Sequence, residues 1–148
     1  MRMIGLDVGD KRIGVALCDP MEILASAFTV VEREDAAKDI EAIAGLVKEH
    51  DVGRIIVGLP RLLEGGIGTQ AHKAIDFAGE IAEETGVPVE MYDERFSSAM
   101  AEELLRKAGK SHQEIKEKID AAAAALILQW YLDENAPLMN NGMENEIL

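Results

Sequence analysis

A chain of 148 residues, 48% of them apolar and 29% charged, has the length of one domain and can remove about two-thirds of its unfolded surface from water, so its fold requires no disulfide, metal or partner. One cysteine, Cys18, excludes an internal disulfide framework and suits a reducing cytoplasm. Fifteen Lys and Arg against 28 Asp and Glu give a net charge of −13, which excludes a generic basic nucleic-acid coat and a binder of anionic membranes. Any polyanion partner then needs local basic patches or metal ions.

In chain order, residues 2–8 and 12–18 alternate or run apolar with β-branched side chains. Gly9, Asp10 and Lys11 between them are the residue types of a tight reversal, which predicts a hairpin. Asp19-Pro20 stops the second strand, and Ile23 to Val31 reads as a third. Asp35 to His50 places Ala36, Ile40, Ile43, Ala44 and Val47 at helical spacing, with acids at the start where the helix dipole favours them. Residues 54–58 read as a buried strand, about 70–85 as a helix closed by Gly86, and Val87 to Tyr92 as another strand. Helices follow from Ser97 to Lys107 and from Gln113 to Leu132.

Strand-helix-strand units require right-handed crossovers between parallel strands. The fold class is therefore α/β, a mixed five-stranded sheet with three antiparallel strands and then two parallel to the first, which is central, and helices on both faces. The composition changes at Asn135, so the domain is read as 1–134 and residues 135–148 as a flexible or docking tail. The longest apolar run, Ala121 to Leu128, falls far short of the ~20 residues of a membrane span, and Asp7 interrupts any signal-peptide core.

Three acidic positions can carry chemistry. On the central strand Asp7 shares a face with Met3, Gly5 and Gly9, and an ionised group near a sheet core is costly unless it is paired or binds a metal. A turn cap is the competing role, for which Asp10 is better placed. Asp93-Glu94-Arg95 follows the last strand and falls on the same sheet edge, where open α/β sheets place ligands. Adjacent acids point to opposite sides, so one of the two faces inward; a cap for the next helix or surface ion pairs are the competing roles. Asp120 opens the run Ala121-Ala122-Ala123-Ala124-Ala125, whose small side chains let a helix lie close to the sheet, and it shares a face with Ala123, Ala124 and Ile127.

Together these carboxylates, Asp7, Asp120 and one or both of Asp93 and Glu94, suit one or two hard divalent cations, Mg²⁺ or Mn²⁺. Zinc is excluded by the lack of compact Cys/His spacing, since His50, His72 and His112 read as surface residues. A two-metal site activates water and stabilises the leaving oxygen of a phosphodiester, which is nuclease chemistry. The glycine-rich loop from Gly58 to Gln70 can receive a phosphate or serve as a plain connector. Lys11, Arg12, Arg61, Gln70 and Arg95 are the candidate substrate contacts. Lys110, Lys116 and Lys118, with Arg106 and Lys107, form the other local basic concentration, Cys18 reads as a buried apolar filler, and Trp130-Tyr131 as packing.

Gly5-Leu6-Asp7-Val8-Gly9-Asp10-Lys11-Arg12-Ile13-Gly14-Val15-Ala16, then Val57-Gly58-Leu59-Pro60, Asp93-Glu94-Arg95 and Ile119-Asp120 with Leu126-Ile127-Leu128-Gln129 resemble, in order over residues 2–133, the YqgF family, also called RuvX. The resemblance implies an RNase H-like fold similar to RuvC-type Holliday junction resolvases. It also implies a nuclease acting at the 5′ end of pre-16S ribosomal RNA, with junction resolution proposed for some members. It puts the first catalytic acid at Asp7, the second in Asp93-Glu94 and the last at Asp120. The chain departs from the family in Leu62-Leu63-Glu64-Gly65, where an Asn-Met-Asp-Gly-like stretch is usual, and in Phe96-Ser97-Ser98.

The expected function is a metal-dependent endonuclease of structured RNA, with branched DNA as the alternative substrate. Readings from other classes are a non-catalytic RNA- or ribosome-associated module, and an actin-like ATP-binding domain, because Gly5-Leu6-Asp7-Val8-Gly9 also resembles the first phosphate motif of those ATPases. Length opposes the last, since such proteins close two domains around the nucleotide. A resolvase cutting two strands symmetrically needs a homodimer, whereas an RNA-processing nuclease can act as a monomer. Expected partners are nucleic acid and the ribosome precursor, with no membrane.

Overall fold

The structure is a computed structural model, and it describes residues 1–60, 67–94 and 97–135. The strands are β1 (Arg2–Val8), β2 (Arg12–Cys18), β3 (Ala25–Glu32), β4 (Val52–Pro60) and β5 (Val89–Glu94). The helices are α1 (Ala36–Glu49), α2 (Thr69–Thr85), α3 (Ser97–Lys107) and α4 (His112–Glu134). The strands form one sheet in the order β3-β2-β1-β4-β5. β1 is antiparallel to β2 and parallel to β4, β2 is antiparallel to β3, and β4 is parallel to β5. The mixed sheet with β1 at its centre is the one the strand pattern predicts.

Local chemistry sets the boundaries. The hairpin closes with the Gly9 N–H donating to the Arg12 carbonyl at 2.9 Å. The Asp19 carboxylate accepts the backbone N–H groups of Met21, Ile23 and Leu24 at 3.2, 2.8 and 2.7 Å. That loop consumes residues 23 and 24, so β3 starts at Ala25 rather than Ile23. The first helix is capped by Asp35, whose side chain accepts from the Lys38 N–H, and α2 ends at Gly86 in the left-handed region, φ 69°. A capping box between Ser111 and Glu114 starts α4, and those Ser111 hydrogen bonds hold the Glu114 carboxyl below its ordinary pKa. The β5 ladder extends to a Pro60–Glu94 pair, so Asp93 and Glu94 belong to the strand rather than following it.

Two apolar layers cover the sheet. Ile4, Leu6 and Val8 of β1 join Ile43 and Val47 of α1 and Phe77 and Ile81 of α2 on one face. Ala16, Cys18 and Ile56 pack under Ala124, Ile127, Leu128 and Tyr131 of α4 on the other. Cys18 is the expected buried filler: it accepts the Met3 N–H at 3.1 Å, and burial pushes its thiol pKa up. Tyr131 is buried as expected and donates its hydroxyl to Glu90 at 2.7 Å. His72 and His112 are exposed, but His50 differs from the surface reading. Its ring meets Phe28 edge-on at 4.9 Å and its Nε2 is buried without a hydrogen-bond partner. No helix among the described residues is long and apolar enough to cross a membrane. The tail from residue 136 lies outside the described residues.

Candidate active site

The sheet parity sorts the acids. Ile4, Leu6 and Val8 face α1 and α2, so the alternate residues Met3, Gly5 and Asp7 face α4. Asp7, half-buried, is paired across the ladder with Gly14 of β2. On that face Gly5 and Gly14 leave room for a helix. A β-carbon on Gly5 would meet Leu128 Cβ at 2.8 Å, and one on Gly14 would collide with the backbone carbonyl of Asp120. Asp120 is thus seated directly on the residue opposite Asp7, about 5 Å across the ladder, and two acids 113 residues apart in sequence share one edge of the sheet.

The parallel register brings up the third position. Leu6 pairs with Val57 of β4, Leu59 with Asp93 and Pro60 with Glu94. Met91 packs on the α1–α2 layer and Tyr92 on the α4 layer. By alternation position 93 belongs to the former face; the side chain of Glu94 lies outside the described residues. Asp93 is exposed and has an interaction partner of its own.

Arg12, at the start of β2, donates its Nε–H to Asp120 Oδ2 at 2.8 Å. The hydrogen bond and charge of Asp120 push the guanidinium pKa above its ordinary value. Lys11 is exposed on the hairpin. Gln70, expected to touch substrate, donates its Nε2–H to the Val8 carbonyl at 3.0 Å and so ties the start of α2 to the end of β1. Arg61 and Arg95 lie outside the described residues.

A brace that the sequence reading missed fixes the hairpin tip. Arg33 donates Nη1–H to the Gly9 carbonyl at 2.8 Å and Nε–H to Asp39 at 3.0 Å, while its guanidinium lies 5.4 Å from the centroid of the Phe77 ring. Asp39 is only 3% exposed and also accepts the Glu34 N–H. No hydrophobic period marks such a pair. Gln129 was missed as well: it accepts from Ala25 N–H and donates to the Ile23 carbonyl, clamping α4 to β3.

The donor set tests the expected metal. Among the described residues no group of three or more His, Cys, Asp or Glu side chains forms a metal cage. Mg²⁺ needs none, because it is commonly held by one or two carboxylates together with waters and substrate phosphate. Asp7 and Asp120 offer hard oxygen ligands, and Asp120 already draws a cationic group, so the residues present fit a divalent ion.

This sheet order, with helices on both faces, is the RNase H-like fold. Thermus thermophilus RuvC in complex with a Holliday junction substrate matches it with a TM-score of 0.59 at 19% identity, over 92% of this chain and 97% of that one. The Fowlpox virus resolvase bound to Holliday junction DNA matches with a TM-score of 0.56 at 14% identity, over 93% and 100% of the two chains. The protein belongs to the RuvX family, described as Holliday junction resolvase, whose sequence profile matches residues 1–134. A relative from Desulforamulus reducens is 43% identical over 92% of this chain and 99% of its own length, and one from Clostridioides difficile is 45% identical over 89% and 94%. Both are named "Putative pre-16S rRNA nuclease".

Proposed function

We propose that the protein is a metal-dependent endonuclease that hydrolyses phosphodiester bonds of structured RNA, acting in 5′-end processing of pre-16S rRNA in the cytoplasm. The observation that carries this reading is the seating of Asp120 on Gly14, directly across the ladder from Asp7. Relatives above 40% identity that bear the name of that activity support it. Asp7, Asp120 and Glu94 would hold the divalent cation, Mg²⁺ or Mn²⁺, which would lower the pKa of water and stabilise the leaving oxygen. Asp7 and Asp120 orient the attack, Gln70 fixes the end of β1 that carries Asp7, and Lys11 and Arg12 lie where a phosphate chain approaches the edge. Water adds to phosphorus as one ester P–O bond breaks. We assign catalysis to residues 1–134, with 135–148 as an accessory tail.

The family description favours a second reading, resolution of four-way DNA junctions, which requires a homodimer to cut two strands symmetrically. Cleavage-site mapping on pre-16S leader RNA and on synthetic junctions, with Mg²⁺ or Mn²⁺ and with solution mass measured in parallel, separates the two. The expected result is metal-dependent cutting of the leader RNA that Asp7→Asn lowers by at least about 100-fold, the scale of a lost catalytic group. Equal cleavage by the variant would show that the acid edge is not the active site, and a metal-bound protein that cuts neither substrate would be a binding module.

A further inference from the structure

Asp120 is already met by a positive charge from its own chain, and Asp7 on the same sheet edge has an interaction of its own. Arg12 lies on the same face of β2 as Gly14, two residues away, and reaches Asp120 through Nε alone. Its two terminal nitrogens make no hydrogen bond among the described residues. The pair is open to water, its side chains 39% and 24% exposed, and an ion pair in that setting exchanges readily.

We propose that Arg12 is a positioning residue that stands in for the divalent cation at Asp120 and releases that carboxylate when the ion binds, freeing its guanidinium fork for the substrate phosphate. The inference rests on the metal-dependent reading above and adds a coupling to it. Without metal, Arg12 keeps Asp120 in place. With metal, the Asp120 oxygen changes partner, and the guanidinium, repelled by the ion, turns toward a ligand whose planar pair of oxygens it matches. Metal binding thereby prepares the phosphate contact, so metal and nucleic acid favour each other's binding without any movement of the backbone. In a chain of net charge −13, this makes a basic side chain bonded to the acid edge available only when the edge has been neutralised.

The test reads Arg12 itself. In the full-length protein labelled with ¹⁵N, the Arg12 Nε–H resonance is assigned by its loss in Arg12→Lys and followed during titration with Mg²⁺, without nucleic acid. The expected result is a shift and faster solvent exchange that saturate with the metal. Calorimetric titration with Mn²⁺ is expected to show Arg12→Gln binding about three- to tenfold more tightly than wild type, the size of removing one partly screened charge near a divalent ion. Metal binding with an unmoved Nε–H signal, or with no gain of affinity in Arg12→Gln, overturns the exchange while leaving the metal-dependent reading intact. If Arg12→Gln does not fold, the wild-type resonance decides alone. Failure of the wild type to bind either metal overturns both.

Discussion

Gly14 and the backbone carbonyl of Asp120 are in such close contact that no β-carbon fits between them. The acid therefore reaches the sheet edge because position 14 has no side chain. Gly14→Ala pushes α4 off β2 or distorts the strand, and the expected cost is about 1–3 kcal/mol of stability, as for overpacking, with a fall in melting temperature of several degrees. Gly45, mid-helix in α1 with open space around it, is the control. Gly45→Ala is expected to raise stability by about 0.5–1 kcal/mol, because alanine is the better helix former. Urea denaturation of both variants checks the opposite signs, and a neutral Gly14→Ala would show that α4 does not depend on this contact.

The Arg33–Asp39 brace yields a second expectation. Arg33→Ala leaves a buried carboxylate without its cation and the Gly9 carbonyl without its donor, which costs about 3 kcal/mol. Arg33→Lys keeps the charge but not the fork that serves Asp39 and Gly9 together, so its loss falls between those of wild type and alanine. Denaturation midpoints measure this, and a loss below about 1 kcal/mol for alanine would mean that the pair contributes little beyond surface charge.

The sheet was legible because its signals are periodic: alternation in β1 and β2, the Gly9–Lys11 reversal and the apolar run of β4 each fix a strand and its neighbour. Asp7 was legible for the same reason, since parity puts it opposite Ile4 and Leu6. The seating of Asp120 on the ladder partner of Asp7 was only half legible. The alanines after Asp120 signal close approach to a sheet, but which glycine receives the helix depends on the β1–β2 register. Arg33, Asp39 and Gln129 were not legible, because a hydrogen bond between elements leaves no period in the sequence. The shift of β3 to Ala25 has the same origin, an Asp19 carboxylate that captures three backbone N–H groups rather than one turn.

Asp19 also sets a pH dependence. The Leu24 and Ile23 N–H groups hold its carboxyl below the ordinary value of 3.8. A depressed folded pKa means that the stabilisation is present in full above the unfolded value and is lost as pH falls from about 4 through the folded pKa. Asp19→Asn is therefore expected to melt below wild type at pH 7 and pH 5, with the gap closing toward pH 3. Melting curves at the three values test it; a gap that stays constant would show that ionisation of Asp19 contributes nothing to the loop.

Divalent metal is expected to raise the melting temperature, since an ion held by the folded edge and not by the unfolded chain stabilises by mass action. At a metal concentration about a hundred times its dissociation constant the gain is about 2.7 kcal/mol, or about 5–10 °C for a domain of this size. The register makes the expectation specific to side chains. Asp7 pairs with Gly14, on which the Asp120 carbonyl is seated, whereas position 93 alternates to the other face. Asp7→Asn, Asp120→Asn and Glu94→Gln should each remove most of the metal-induced shift, and Asp93→Asn should keep it. Thermal melts with and without millimolar Mg²⁺ or Mn²⁺ decide the matter. A shift lost in Asp93→Asn but kept in Glu94→Gln would move the third ligand to the neighbouring residue, and a shift kept in all four variants would place the bound metal away from this edge.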